Sequence, residues 1–287
     1  MKANYKIVTG NLENIPVNIT RFPTGEVAVK LDDPEDYLHR SKGRVTIEVQ
    51  GYEPDTFFIL ANIKDALDVA CQYFSIKNVE KQLVIYYMPN ARYDRHMVDG
   101  DGFALRVFCE MINLLKFDRV VVVDPHSDIT YSLLKNCVVV DQCAIMMDIN
   151  DKFNLNHVDF LVAPDAGAQK KIFKFAEQIG LPVVTMNKVR DVKTGKITHT
   201  EAPSKIQEGA CYLIVDDICD GGYTFIKAAE ALKHAGAGQV DLAVTHGIFS
   251  KGLDVLLDGN ISNVYTTNTY SDLPERINLH QLKYFKK

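Results

Sequence analysis

"CYLIVDDICDGGYTFIKAAEALKHAG", residues 211–236, sets an apolar run, three carboxylates, two glycines and a helical pattern end to end. The run "CYLIVDD" is nearly continuous in apolar, β-favouring residues, as a strand buried on both faces must be. From Thr224 onward, Phe225, Ala229 and Leu232 recur at helical spacing, and Gly236 stands where a helix-terminating glycine belongs. The stretch therefore predicts strand, acidic glycine loop, helix, which is one step of an α/β architecture.

The same alternation runs through much of the chain. "QLVIYYMP", "RVVVVDP", "NCVVVD", "DFLVAPD", "LPVVTM" and "VDLAVTH" predict further buried strands. Between them, "GFALRVFCEMINLLKF" predicts a helix with Phe103, Val107, Met111 and Leu114 or Leu115 on its stripe. "AQKKIFKFAEQIG" predicts another with Ile172, Phe173, Ala176 and Ile179. The order also rhymes: a strand ending in Pro-Asn or Pro-Asp, a helix, then a strand ending in Asp, occurs twice. The expectation is two similar α/β domains in tandem, 1–140 and 141–287, each a mainly parallel sheet flanked by helices. The join falls within 137–150.

Composition narrows the function. The chain has 287 residues, enough for two domains of ordinary size, and a net charge of −5 without a broad basic face. Nucleic acid is thereby set aside as a main partner. Six cysteines include no CxxC pair, so no zinc or redox motif is legible, and they read as small core residues. No apolar leader opens the sequence and no run is long enough to span a bilayer, which gives the cytoplasm and no membrane as the expectation.

The opening loop suggests its own ligand. Ligands of open α/β sheets sit beyond the carboxyl ends of strands, where this loop falls. Gly221 and Gly222 allow backbone turns closed to other residues, and the N–H groups there, with the hydroxyl of Thr224, suit a phosphate monoester. Asp216, Asp217 and Asp220 cannot serve the same anion. They suit sugar hydroxyls, which donate hydrogen bonds, or a hydrated metal. A phosphorylated sugar satisfies both halves, with its 2- and 3-hydroxyls toward Asp216 and Asp217. The pattern GxxxxGK[ST] is absent, so this is no ordinary P-loop.

This string resembles the phosphoribosyl-diphosphate (PRPP) loop of type I phosphoribosyltransferases and of ribose-phosphate diphosphokinases, with Asp216, Asp217, Asp220, Gly221, Gly222, Tyr223 and Thr224 as the ribose 5-phosphate contacts. Further stretches resemble the diphosphokinases alone. "MPNARYDRHM", 88–97, is similar to their ATP-contacting segment, which implies Arg92, Tyr93 and Asp94 at the nucleotide. "RFPTGEVAVKL", 21–31, is similar to a loop that reaches a neighbouring subunit in that family. There Phe22 would stack on adenine, Glu26 would accept from its amino group, and Thr24 replaces the usual Asp or Asn. "VVVVDPHSD" and "VAPDAGAQKK" imply His126 and Asp165 as Mg²⁺-linked residues. "NKVRDVKTGKITHTE", 187–201, is similar to the flexible catalytic loop. Lys188 and Arg190 would there stabilise the transferring group, and Lys193 and Lys196 add charge. "VTHGIFSKG" and "YTTNTYS" are similar to later strand segments, so the resemblance runs from about residue 20 to 270.

The resemblance implies a reaction: transfer of the β,γ-diphosphoryl group of ATP to the 1-hydroxyl of ribose 5-phosphate, with Mg²⁺, giving PRPP and AMP. It implies a homo-oligomer built on dimers, up to a hexamer. Three departures bear on it. Tyr223 is bulky where the phosphate loop has small residues. "HMVDGDG", 96–102, replaces an Arg- and Ser-rich loop that binds phosphate or ADP. The sequence ends at "QLKYFKK", earlier than typical members. The last two lead to the expectation of an enzyme without ADP control. The alternatives are a phosphoribosyltransferase that consumes PRPP and a non-catalytic partner of a synthetase.

Overall fold

The computed structural model describes residues 3–190, 197–203 and 206–286, with backbone alone at 166, 187–190 and 197–201. The chain divides into two compact units. One runs to Val140 and takes back the segment from Phe285; the other is Asp141–Tyr284.

The first unit contains, in order, β1 (Asn4–Thr9), β2 (Asn14–Ile15), β3 (Val17–Arg21), β4 (Val27–Leu31), α1 (Pro34–His39), β5 (Arg44–Gln50), α2 (Thr56–Tyr73), β6 (Glu80–Ile85), α3 (Ala104–Leu114), β7 (Arg119–Val123), α4 (Ile129–Leu133) and β8 (Cys137–Val140). Its sheet has the order β2-β1-β5-β6-β7-β8, parallel from β5 to β8 and antiparallel at β1. Ile47, Leu83, Ile85 and Val122 on the strands pack with Ile59, Ile63 and Leu67 of α2 in one core. On α3 the buried face is Leu105, Phe108, Cys109 and Ile112, while Val107 and Leu114 are exposed. This corrects the stripe read from the sequence. Two overlapping apolar stripes lie on this helix, and periodicity alone gives no means of choosing between them.

The second unit contains α5 (Gln142–Phe153), β9 (Phe160–Ala163), α6 (Ala166–Ile179), β10 (Val183–Thr185), β11 (Asn187–Arg190), β12 (Ile197–Glu201), β13 (Cys211–Cys219), α7 (Tyr223–His234), β14 (Gln239–Gly247), α8 (Asp254–Leu257), β15 (Val264–Thr267) and β16 (Leu279–Leu282). Six of these strands form a wholly parallel sheet, order β10-β9-β13-β14-β15-β16. On β13 every residue except Asp216 is buried, as its run of apolar residues requires. Phe225, Ala229 and Leu232 of α7 pack on this sheet, and Gly236 beyond the helix has φ 106°. β13 does not stop at its aspartates. It continues through Ile218 and Cys219, which pair with His246 and Gly247. Both units are thus mainly parallel sheets flanked by helices. Among the described residues, no helix is long and apolar enough to cross a membrane.

Candidate active site

Strand order locates the site in the second unit. From β9 the chain moves outward to β10, then returns to place β13 on the other side of β9, with β14, β15 and β16 beyond. The order reverses between β9 and β13, and ligands of open parallel sheets bind at such a reversal, beyond the carboxyl ends. The segments after these two strands are Pro164–Asp165 and the acidic glycine loop.

Asp165 is the N-cap of α6, and its Oδ1 accepts the N–H of Ala168 at 3.1 Å. One turn further into the helix, Lys171 donates from Nζ to Asp217 Oδ2 at 3.1 Å. Asp217 is 5% exposed, so this pairing compensates a charge that burial alone would make costly. Its N–H donates to Asp216 Oδ1 at 2.9 Å. Asp216 and Asp220 are only half-buried.

The loop is anchored through its carbonyls. Cys219 O accepts from the N–H groups of Ile248 and Phe249, Asp220 O from that of Ser250, and Gly222 O from those of Phe225 and Ile226. Gly222 has φ 79°, and a Cβ there would lie 2.6 Å from Leu256 Cδ2. Glycine is therefore required twice, by conformation and by space. Tyr223 is 72% exposed, with Lys227 Nζ 5.8 Å from its ring centre. Cys219 is fully buried, and that burial pushes its thiol up to about 12, which rules out a nucleophile at neutral pH. Beneath the loop, at the end of β14, His246 Nδ1 lies 2.8 Å from Thr269 Oγ1, and the hydroxyls of Thr267 and Thr269 donate to Thr245 O. This network fixes the segment whose N–H groups hold the loop.

Lys188 and Arg190 lie on β11, opposite Thr200 and Ile197 of β12 in a two-stranded ribbon with a register shift between Val189 and Arg190. Lys193 and Lys196 lie outside the described residues.

In the first unit, Phe22, Thr24 and Glu26 form the tip of the β3–β4 hairpin. Phe22 N–H donates to Glu26 O at 2.9 Å, and Thr24 Oγ1 donates to the Glu26 carboxylate at 2.8 Å. All three are exposed, Phe22 by 48%. Arg92 and Tyr93 are exposed beyond β6, whereas Asp94 is 7% exposed and takes two bonds from Arg95, at 2.7 and 3.0 Å. The Arg95 bond is the chief cause that holds the Asp94 carboxyl below its usual range. Ser127 and the nearby charge of His126 act in the same direction. The structure thus brings the Arg92–Asp94 segment and His126 together at the carboxyl ends of β6 and β7, with Asp94 as the brace.

Loop 96–102 is closed by its own acid. Asp101 Oδ2 accepts the N–H groups of Met97 and Val98 at 3.1 and 3.0 Å, and Asp101 O lies 2.7 Å from His96 Nδ1. Neither Asp101 nor Lys171 was singled out by the sequence. Lys170 and Lys171 are adjacent, and nothing in that pair marks the one that meets Asp217.

A family model described as a phosphoribosyl transferase domain matches residues 141–258. A ribose-phosphate pyrophosphokinase of Pyrococcus abyssi is 31% identical over 91% of this chain and 85% of its own. One of Pyrococcus furiosus is 29% identical over 92% and 91%. A crystal structure of phosphoribosylpyrophosphate synthetase from Mycobacterium smegmatis superposes with a TM-score of 0.76 at 20% identity, covering 95% of this chain and 87% of that one. At that identity the structural likeness speaks for the fold.

Proposed function

The chain belongs to the ribose-phosphate pyrophosphokinase family, and from that premise we propose that it makes PRPP and AMP from ribose 5-phosphate and ATP. The 1-hydroxyl oxygen of the sugar attacks the β-phosphorus. The bond from that phosphorus to the bridging oxygen of the α-phosphate breaks, AMP leaves with that oxygen, and the hydroxyl proton passes to solvent. The observation that carries this reading is the acidic glycine loop at the strand reversal, with one carboxylate tied to Lys171 and two left half-buried.

In this reading Asp216 and Asp220 take the sugar hydroxyls, and the turn Gly221–Thr224 takes the 5-phosphate. Asp217 acts through Lys171 as a brace. Lys188 and Arg190 carry the charge that stabilises the transferring group. Arg92 and Tyr93, with Phe22 and Glu26, are the nucleotide contacts, and the Thr24 hydroxyl fixes the direction of the Glu26 carboxylate. The exposed hairpin tip fits a contact made in a homo-oligomer.

Mg²⁺ when bound would draw charge from the ATP phosphates. Asp165 fits it by donor chemistry, because a carboxylate oxygen is the ligand Mg²⁺ prefers. His126 offers nitrogen, which Mg²⁺ prefers less, and enters through the resemblance alone.

We further propose that ADP does not control this cytoplasmic enzyme through loop 96–102. The N–H groups of Met97 and Val98, which an anion would seek, already bond to Asp101.

Phosphorus NMR of the protein with ATP, ribose 5-phosphate and Mg²⁺ tests the reaction. AMP and a C1 diphosphate should appear together; ATP left intact overturns the proposal. Lys188→Ala should lower kcat about 100- to 1000-fold, and near-normal turnover removes Lys188 from its role.

A further inference from the structure

At the other ends of the same strands, the second unit gathers a different set of donors. Cys211 opens β13, Asp241 lies near the start of β14, and His157 sits in the turn before β9. Along β13, Cys211 is about 20 Å from Asp217 at roughly 3.3 Å per residue, so this cluster is distinct from the acidic loop.

His157 Nε2, Cys211 Sγ and a carboxylate oxygen of Asp241 lie within 4.8 Å of one another. The His157–Asp241 separation is 2.9 Å. Asp241 is fully buried and Cys211 nearly so, while the His157 side chain is 39% exposed. The cluster is therefore closed on the protein side and open past one imidazole.

The Asp241 carboxylate is oriented by neutral donors. Oδ1 accepts from the N–H of Asn263 at 3.0 Å, from Asn263 Nδ2 at 3.1 Å and from Gln239 Nε2 at 3.0 Å. Oδ2 is shared between Gln239 Nε2 and His157. These are the outer contacts that a ligating carboxylate normally has. Amides do not neutralise a buried charge; the positive charge such a carboxylate calls for can come from His157 as imidazolium, 2.9 Å away, or from a metal ion that takes its place between the two. A neutral Cys211 thiol beside it is a poor partner, being only a weak donor.

The next strands add to the wall. His280 on β16 stacks on Tyr265 of β15, centroids 4.8 Å apart and planes at 16°. The Tyr265 ring in turn lies 6.5 Å from that of His157.

We propose that His157, Cys211 and Asp241 bind one borderline-soft divalent cation of the Zn²⁺ class, joining the turn before β9 to β13 and β14. Nitrogen, thiolate and carboxylate are the donors such an ion takes, whereas Mg²⁺ would refuse the sulfur. Tetrahedral ligation places donors about 3.3–3.7 Å apart. With all three donor atoms within 4.8 Å of one another and His157 2.9 Å from Asp241, ligation needs His157 to draw back slightly from Asp241 and leaves the other separations within side-chain reach. The exposed edge of His157 leaves the fourth position to solvent. The ion acts as a structural tie and takes no part in diphosphoryl transfer.

Cobalt(II) is the probe, added to the full chain after EDTA treatment. The expected result is a thiolate-to-cobalt charge-transfer band that saturates at one equivalent and vanishes when Zn²⁺ is added. Cys211→Ser should abolish the band. His157→Asn, at a half-exposed position that leaves folding intact, should weaken binding about 100-fold, at or beyond the loss seen for outer-contact changes. No band in the natural sequence, or a band undiminished in both variants, overturns the proposal. Circular dichroism of both variants establishes that they are folded when the spectra are read.

Discussion

The loops "MVDGDG", residues 97–102, and "CDGGYT", residues 219–224, are built from the same materials: aspartate and two glycines each. They are wired in opposite ways. In the first, Asp101 turns back and takes the N–H groups of Met97 and Val98, so the loop holds its own anion. In the second, neighbouring N–H groups grip the carbonyls of Cys219 and Asp220, and the adjacent buried carboxylate, Asp217, is held by Lys171. Composition made both loops acidic and rich in glycine. What separates the loop proposed to take a ligand from the closed turn is which N–H groups and carboxylates are already paired.

The largest test compares one glycine from each loop. Gly222 and Gly100 both have positive φ, 79° and 89°, but only at Gly222 would a Cβ meet a neighbour, Leu256, within 4 Å. Gly222→Ala combines a left-handed alanine, about 1–2 kcal/mol, with overpacking, about 1–3 kcal/mol. It should also displace the phosphate turn and lower kcat/KM for ribose 5-phosphate about 100-fold. Gly100→Ala carries the backbone cost alone and should leave kcat/KM within about twofold. Urea unfolding and PRPP formation, measured on both variants, decide it. Equal effects at the two positions would erase the distinction between the loops.

Lys171→Met comes next. It leaves the Asp217 carboxylate buried without this cation. Loss of one partner from a fully buried pair costs about 3–5 kcal/mol. The Lys171 side chain is 30% exposed, so water can replace part of the contact, and roughly 2 kcal/mol is expected. KM for ribose 5-phosphate should rise about tenfold, on the order of 1.4 kcal/mol. Adding Asp217→Asn should restore stability more than activity, because the amide needs no cation and the backbone N–H to Asp216 is kept, while the Lys171 tie between α6 and the loop stays missing. A double variant no more stable than Lys171→Met would mean that the pair is incidental.

The fold was legible where strands are buried on both faces and helices carry a single apolar stripe. β13 and α7 announce themselves in this way. The β3–β4 hairpin does not, since its strands are half exposed and carry the polar Asn18, Thr20 and Arg21 among their apolar residues. Of the candidate site, Asp216, Asp217 and Asp220 could be read because they are neighbours in the chain. The Lys171–Asp217 pair could not, because its members lie 46 positions apart and meet only once α6 packs beside β13. The same holds for His157, Cys211 and Asp241. Without a CxxC, no spacing in the sequence draws those three residues together.

Asp101→Asn should act more weakly, through loop order. An amide oxygen can still accept from Met97 and Val98, but without the charge that strengthens such bonds. Amide exchange at these two positions should rise about fivefold, the effect of roughly 1 kcal/mol of lost hydrogen bonding. Activity without ADP should stay within twofold of the parent, to the precision of the assay. If the closed wiring is what keeps anions out, millimolar ADP should begin to inhibit the variant in a manner not competitive with ATP. The unaltered protein serves as control: such inhibition already present in it would defeat the reading of this loop.

Tyr223→Ala should do least, and for that reason it sharpens the contrast most. Tyr223 is the bulky departure in the proposed phosphate turn, at a place where the loops it resembles carry small residues. In the structure Tyr223 is 72% exposed and, among the described residues, its ring is met by Lys227, while the turn itself is set by Gly222. An exposed cation–π contact contributes about 0.5–1 kcal/mol, so stability should change by no more than that. If phosphate is held by backbone N–H groups, the side chain above them matters little, and kcat/KM for ribose 5-phosphate should stay within about threefold of the parent. A tenfold gain on truncation would place the ring over the phosphate position. The turn would then be partly closed by its own side chain, as loop 97–102 is closed by Asp101.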